Sequence, residues 1–286
     1  MNGAELLCRC LEEAGGEVIF GVPGTQSVTL FEALRRSSLR TVLTTQELSA
    51  AFMANGYARA SGRPGLLTTI PGPGFTCAMT GLMEARHDST PLLLVVPRPR
   101  GLPDRRYDLQ AMDHEAMASQ ALKESVRADS ADSIPAATRR ALAATLEGEP
   151  GPVLLEVSTA ALGDEVPAAH PAVQESSAGA PEESEGTRGA PEGGGDGGDP
   201  PELEKAVEHL AEARRLLLLL GQGALGAADR VEELLEASGA LVVTNSSARG
   251  IVSEEDSRCI CGDFSGWAVN EVNELVDAAD RVLALD

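Results

Sequence analysis

Between residues 4 and 157 the chain repeats one unit: a short apolar run, a break, and then a longer segment with helical spacing. The apolar runs are Val18 to Phe20, Thr41 to Thr45, Leu66 to Ile70, Leu92 to Val96 and Val153 to Val157. Between them, Ala4 to Ala14, Val28 to Arg36, the segment from Glu47 onward, Thr76 to Arg86, Asp113 to Ala121 and Ser133 to Leu146 read as helices. The first shows why: Leu6, Leu7, Cys10, Leu11 and Ala14 form one stripe, ended by Gly15-Gly16. Strands that alternate with helices predict an α/β fold, a parallel sheet covered by helices on both faces. In such a sheet ligands bind at the carboxyl ends of the strands.

Three strand-to-helix joints are therefore of interest. The β-branched run ending at Thr45 stops at Gln46-Glu47, and an alanine-rich helix follows at once. Glu47 is the one carboxylate at that joint. It is a candidate for chemistry, or else a first-turn glutamate favoured by the helix dipole, worth ~0.3–1 kcal/mol. The other two joints are Gly21-Val22-Pro23-Gly24 and Pro71-Gly72-Pro73-Gly74. Their glycines carry no side chain, so backbone there is free to approach a bound group closely.

Taken in order, F-G-V-P-G, E-x-x-A-A-F-M-A-N-G-Y-A-R, S-G-R-P-G and G-P-G-F-T closely resemble the N-terminal domain of thiamine-diphosphate-dependent enzymes. The nearest group contains acetolactate synthase, pyruvate oxidase and benzoylformate decarboxylase. The resemblance runs to about Val157 and resumes more weakly from Glu202. It implies thiamine diphosphate as cofactor, with Glu47 as the carboxylate that bonds the far ring nitrogen of the aminopyrimidine. It also implies that Pro23, Gly24, Gly72, Pro73 and Gly74 lie against that ring. Cys77, at a cofactor-binding position, stands where the acetolactate synthase group usually has asparagine, and a thiol is the poorer donor. Gln46 stands where that group often has histidine. Gln110, in L-Q-A-M-D-H-E, aligns roughly with a glutamine near the substrate channel; a solvated loop residue is its alternative. His87 and His114 receive no role and are expected at the surface.

The expected division is a pyrimidine-binding domain at 1–162, a linker at 163–200 and part of a central α/β domain at 201–286. Gly163 to Pro200 holds nine acidic residues, one arginine and no large apolar residue beyond valine. Such a segment buries too little to offset its ordering entropy, so it is expected to be disordered. It contains Gly195-Asp196-Gly197, which resembles the start of the family's diphosphate-and-metal motif but lacks the preceding strand and the downstream asparagine. From Glu202 a Rossmann-like pattern returns, with strands at Leu216 to Leu220 and Ala240 to Thr244. Gly221-Gln222-Gly223 is an incomplete dinucleotide loop, a weak pointer to FAD, with a structural turn as the alternative.

The sequence stops at Asp286, inside the second of these domains. The resemblance thus implies half of an active site. Mg2+ and the diphosphate would be held by a domain on another chain, in a homo- or hetero-oligomer. The function implied is a decarboxylase or carboligase acting on a small 2-oxo acid. The alternative is a non-catalytic remnant that binds partners without cofactor.

With 44 acidic and 23 basic residues the formal charge is −21, which repels phosphate backbones and argues against nucleic acid. No signal peptide is visible at the start, and the longest apolar run is far short of the ~20 residues of a membrane helix. A soluble, cytoplasmic protein is expected. Cys8 and Cys10, and Cys259 and Cys261, form C-x-C pairs. Residues two apart on a helix face different sides, so ordinary buried thiols are expected and no metal site.

Overall fold

The computed structural model describes residues 1–99, 108–167, 201–260 and 269–285. The chain divides into two compact units, Met1–Glu183 and Ser184–Asp286. Most of the expected linker, residues 168–200 with its Gly195-Asp196-Gly197, lies outside the described residues, as does Cys261.

The first unit has strands β1 (Val18–Gly21), β2 (Arg40–Leu43), β3 (Gly65–Thr68), β4 (Leu92–Arg98), β5 (Glu124–Ala128) and β6 (Pro152–Ser158). Its helices are α1 (Gly3–Glu13), α2 (Val28–Arg36), α3 (Glu47–Ser61), α4 (Pro73–His87), α5 (His114–Met117), α6 (Ile134–Leu146) and α7 (Thr159–Gly163). The strands form one six-stranded sheet in the order β2-β1-β3-β4-β6-β5, and every pairing is parallel. The α/β architecture expected from the alternation is the one observed.

Side-chain alternation along the strands builds two cores. Leu93 and Val95 of β4 and Val153, Leu155 and Val157 of β6 pack with α1, α2 and α6 on one face. Leu92, Leu94 and Val96 of β4 and Leu154 of β6 pack with Ala50, Ala51 and Ala54 of α3 and Phe75, Ala78 and Leu82 of α4 on the other. Both faces are apolar, so the strands read as continuous hydrophobic runs. Glu156 lies on the second face and interrupts it, at 1% exposure.

Three differences from the sequence reading have physical reasons. Helix α4 begins at Pro73, earlier than expected, because proline fits a first helical position whose amide would have no partner. The expected helix Asp113 to Ala121 shrinks to α5, capped by Asp113, which accepts from the Ala116 amide. Strand β5, E-S-V-R-A, was not expected: its polar residues suit an edge strand and hide the apolar pattern. Past the expected boundary at Leu162, Val166 is buried in the first core and its amide donates to the Met1 carbonyl.

The second unit has strands β7 (Leu216–Leu220), β8 (Leu241–Thr244), β9 (Cys259–Ile260) and β10 (Arg281–Leu285), with helices α8 (Pro201–Ala211), α9 (Ala228–Ser238) and α10 (Val269–Ala278). They form a parallel sheet in the order β10-β7-β8-β9. Gly221-Gln222-Gly223 leads from β7 into a 3-10 segment, Gln222–Ala227, ahead of α9. No helix among the described residues is long and apolar enough to cross a membrane.

Candidate functional site

In the first sheet the chain runs from β1 outward to β2 and then returns to β3 on the opposite side of β1. Loops leaving β1 and β3 therefore diverge, and the crevice at their carboxyl ends is where an open α/β sheet receives a ligand. Three of the sequence-predicted segments meet there.

Ile70, just past β3, is the pivot. A Cβ added to Gly24 would lie 2.6 Å from Ile70 Cγ2, and one added to Gly74 would lie 2.5 Å from Ile70 Cγ1. The two turns therefore clasp one side chain, and only glycine leaves room for it. The same Cβ on Gly74 would lie 3.0 Å from Glu47 Oε1, so the carboxylate stands directly over Gly74. Glu47 is the first residue of α3 and is partly exposed. Its carboxylate has no hydrogen bond or ion pair among the described residues, and a carboxylate at a helix start is free to act as acceptor for something else.

Gln110 joins this group. Its carbonyl oxygen lies 3.0 Å from the Cβ position of Gly72, and its own φ is +65°. Its Oε1 is buried without a partner among the described residues, as are the hydroxyls of Thr68 and Thr69 at the end of β3. Buried acceptors and hydroxyls without a partner are uncommon. Pro23 and Pro73 are exposed on the rims of their turns. Cys77 is exposed on α4, three residues after Gly74.

His87 is exposed, as expected. His114 is a correction. It is 0% exposed, because α5 tucks it between the Gly72 turn and β6. Its Nε2 accepts from the Gly72 amide at 3.0 Å and its Nδ1 lies 2.7 Å from Glu156 Oε1. Glu156 Oε2 accepts in turn from Arg127 Nε at 2.9 Å. Burial works to raise the Glu156 carboxyl, but the bonds from His114 and Arg127 outweigh it and hold it below the ordinary carboxylate range. The signal that could have found this pair is the lone glutamate in the apolar run P-V-L-L-E-V, since a buried carboxylate demands a partner.

Among the cysteines, Cys8 and Cys10 are the buried thiols expected; burial pushes Cys8 up to about 12 and Cys10 to about 11. Neither is reactive at neutral pH.

The aminopyrimidine end of thiamine diphosphate fits what is present. The crevice offers a carboxylate for a protonated ring nitrogen and a glycine floor that a methyl group would fill.

Comparison with known proteins adds the following. Residues 1–117 match the family model described as thiamine pyrophosphate enzyme, N-terminal TPP binding domain, and residues 203–285 match thiamine pyrophosphate enzyme, central domain. A probable 2-ketoarginine decarboxylase, AruI, of Pseudomonas aeruginosa is 32% identical over 294 residues, covering 100% of this chain and 48% of that protein. A probable acetolactate synthase large subunit of Methanococcus aeolicus is 30% identical, covering 89% of this chain and 41% of that protein. A 2-hydroxyacyl-CoA lyase of Oryza sativa subsp. japonica is 30% identical over 89% of this chain and 44% of its own length. The chain thus spans less than half the length of these curated relatives.

Proposed function

Because the chain belongs to the thiamine pyrophosphate enzyme family, we propose that its first unit holds the aminopyrimidine end of thiamine diphosphate and that Glu47 activates it. The observation that carries this reading is the unpaired Glu47 carboxylate standing over Gly74, at the crevice where the β1 and β3 loops part.

Bound there, thiamine diphosphate would supply a nucleophilic carbon able to add to the carbonyl of a 2-oxo acid and to accept the charge left when carbon dioxide departs. The protein's task is to bind, orient and set a proton. Glu47 accepts a hydrogen bond from the ring nitrogen and keeps the proton on that atom by charge, which a neutral acceptor does far less well. Fixed before reaction, such a contact costs no reorganisation when it is needed. Gly24 and Gly74, with Ile70 clasped between them, would form the floor for the flat ring. Gln110, whose backbone lies against the Gly72 turn and whose Oε1 has no partner among the described residues, is the residue we assign to the substrate side.

The reaction class is 2-oxo acid decarboxylation or carboligation of the acetolactate synthase type. The diphosphate and its Mg2+ are assigned to a diphosphate-binding domain, such as a second polypeptide of an oligomer would bring. Phe52 and Met53 of α3, 43% and 47% exposed, and Leu43 at the end of β2, 62% exposed, are the apolar surface such an assembly would cover.

The test is Glu47→Gln in the assembled enzyme. Glutamine keeps size and hydrogen bonding but cannot hold the ring proton by charge, so proton exchange at the thiazolium carbon should fall by ~10²–10³. A helix-dipole role would instead leave exchange unchanged and lower stability by about 1 kcal/mol or less. Unchanged exchange would overturn the assignment.

A further inference from the structure

We propose that His114 is a positioning residue for this site. By accepting a hydrogen bond from the Gly72 amide, on an Nε2 that Glu156 keeps unprotonated, it fixes the turn that sets the gap between Gly74 and the Glu47 carboxylate. The proposal rests on the cofactor reading above only in giving that gap a purpose.

Gly72 adopts φ +66° and ψ −112°, a conformation that a residue with a side chain holds only under strain. A turn of this shape has to be held from outside. On one side the Gly72 carbonyl accepts the first bond of α4, from the Thr76 amide at 3.0 Å. On the other, the Gly72 amide precedes the helix and has no backbone partner; His114 Nε2 supplies one at 3.0 Å. Both ends of the residue are thus pinned. Two residues later Gly74 is buried beneath Glu47 Oε1.

For Nε2 to accept, the ring must be neutral with its proton on Nδ1. The 2.7 Å separation between Nδ1 and Glu156 Oε1 is that of an N–H donating to a carboxylate. Arg127 on the second oxygen keeps Glu156 charged and therefore an acceptor only. Phe75, the third residue of α4, packs on the imidazole with ring centroids 4.6 Å apart and planes tilted by 59°, which resists rotation of the ring. A histidine that merely filled the core would need one partner in either tautomer. Here both nitrogens are committed, and one is committed to the turn under Glu47.

The experiment is nitrogen-15 and carbon-13 NMR of the 286-residue chain without cofactor, so that its outcome is independent of whether thiamine diphosphate is the ligand. The ring should carry its proton on Nδ1 and show a bare Nε2. His114→Gln, whose amide oxygen can still accept from Gly72, should keep the Gly72 amide exchange rate within about twofold. His114→Leu should speed that exchange by about tenfold, the scale of one lost hydrogen bond, and should displace the Glu47 carboxyl-carbon resonance. A proton on Nε2 would overturn the proposal, as would a His114→Leu protein whose Gly72 exchange and Glu47 resonance match those of His114→Gln. Should His114→Leu not fold, Glu156→Gln takes its place. An amide donating to Nδ1 should move the ring proton to Nε2 and release the Gly72 amide, and an unchanged ring and amide would refute the role given to Glu156. Failure of the cofactor reading would appear elsewhere, as unaltered thiazolium exchange in Glu47→Gln.

Discussion

On the reading proposed above, a single methyl group decides whether the crevice accepts a flat ring. Gly74→Ala would put a carbon 2.5 Å from Ile70 Cγ1 and 3.0 Å from Glu47 Oε1, so Ile70 must shift and the carboxylate must swing away. Fold should survive, because both neighbours are side chains. Cofactor affinity of the assembled enzyme should fall at least about tenfold, a modest displacement of one preorganised contact, as titration calorimetry would show. Glu156 works at the same scale through charge. Its carboxyl lies below the ordinary 4.5 in the folded chain, so the stability it contributes is complete above that value and is lost as pH falls through the folded value. Urea midpoints of the parent and Glu156→Gln should therefore differ at neutral pH and converge on acidification below 4.5. A constant difference across the range would mean that the pairing with His114 and Arg127 does not set the charge.

At the scale of elements, the site depends on how closely α3 and α4 approach. A Cβ on Gly81 would lie 2.5 Å from Ala51 Cβ and 3.2 Å from the Ala51 carbonyl carbon, so these helices touch through glycine and alanine. Gly81→Leu should force them apart and cost ~1–3 kcal/mol, read as a lower urea midpoint, and should also move Glu47 at the start of α3 away from Gly74. These elements were legible in the sequence because each carries its own punctuation: the Pro-Gly turns, the helix start at Glu47 and the uninterrupted apolar runs of β4 and β6. What was not legible depends on residues far apart. His114 sits in a polar stretch without periodicity, and its burial follows from partners 42 residues away in both directions, Gly72 and Glu156. Strand β5 gave no apolar signal because it closes the edge of the sheet beyond β6, with half-exposed side chains along most of its length. The positions of Gly24 and Gly74 were marked by the turns, but the side chain they clasp, Ile70, looks in the sequence like any strand end.

At the scale of the whole molecule, charge opposes the very ligand the crevice fits. The formal charge is −21, and the cofactor's diphosphate is anionic. A field of that sign lowers the local concentration of anions and slows their approach, an effect that added salt screens within about 10 Å at 0.1 M. Among the described residues, no group of three or more His, Cys, Asp or Glu side chains is placed to hold a metal ion that would offset it. On the reading proposed above, the first unit contributes contact with a neutral-to-cationic ring, chiefly through the Glu47 carboxylate. Calorimetry of the 286-residue chain with thiamine diphosphate and Mg2+ should accordingly show binding no tighter than about 100 μM, near −5.5 kcal/mol. Adding a polypeptide that carries a diphosphate-binding domain should tighten it by at least about a hundredfold, equal to ~2.7 kcal/mol. Thiamine without its diphosphate should bind the isolated chain as well as the full cofactor does, or better, because the repelled group is gone. Submicromolar binding of the full cofactor to the isolated chain would contradict the division of labour between the two ends of the molecule, whatever Glu47 does at the ring.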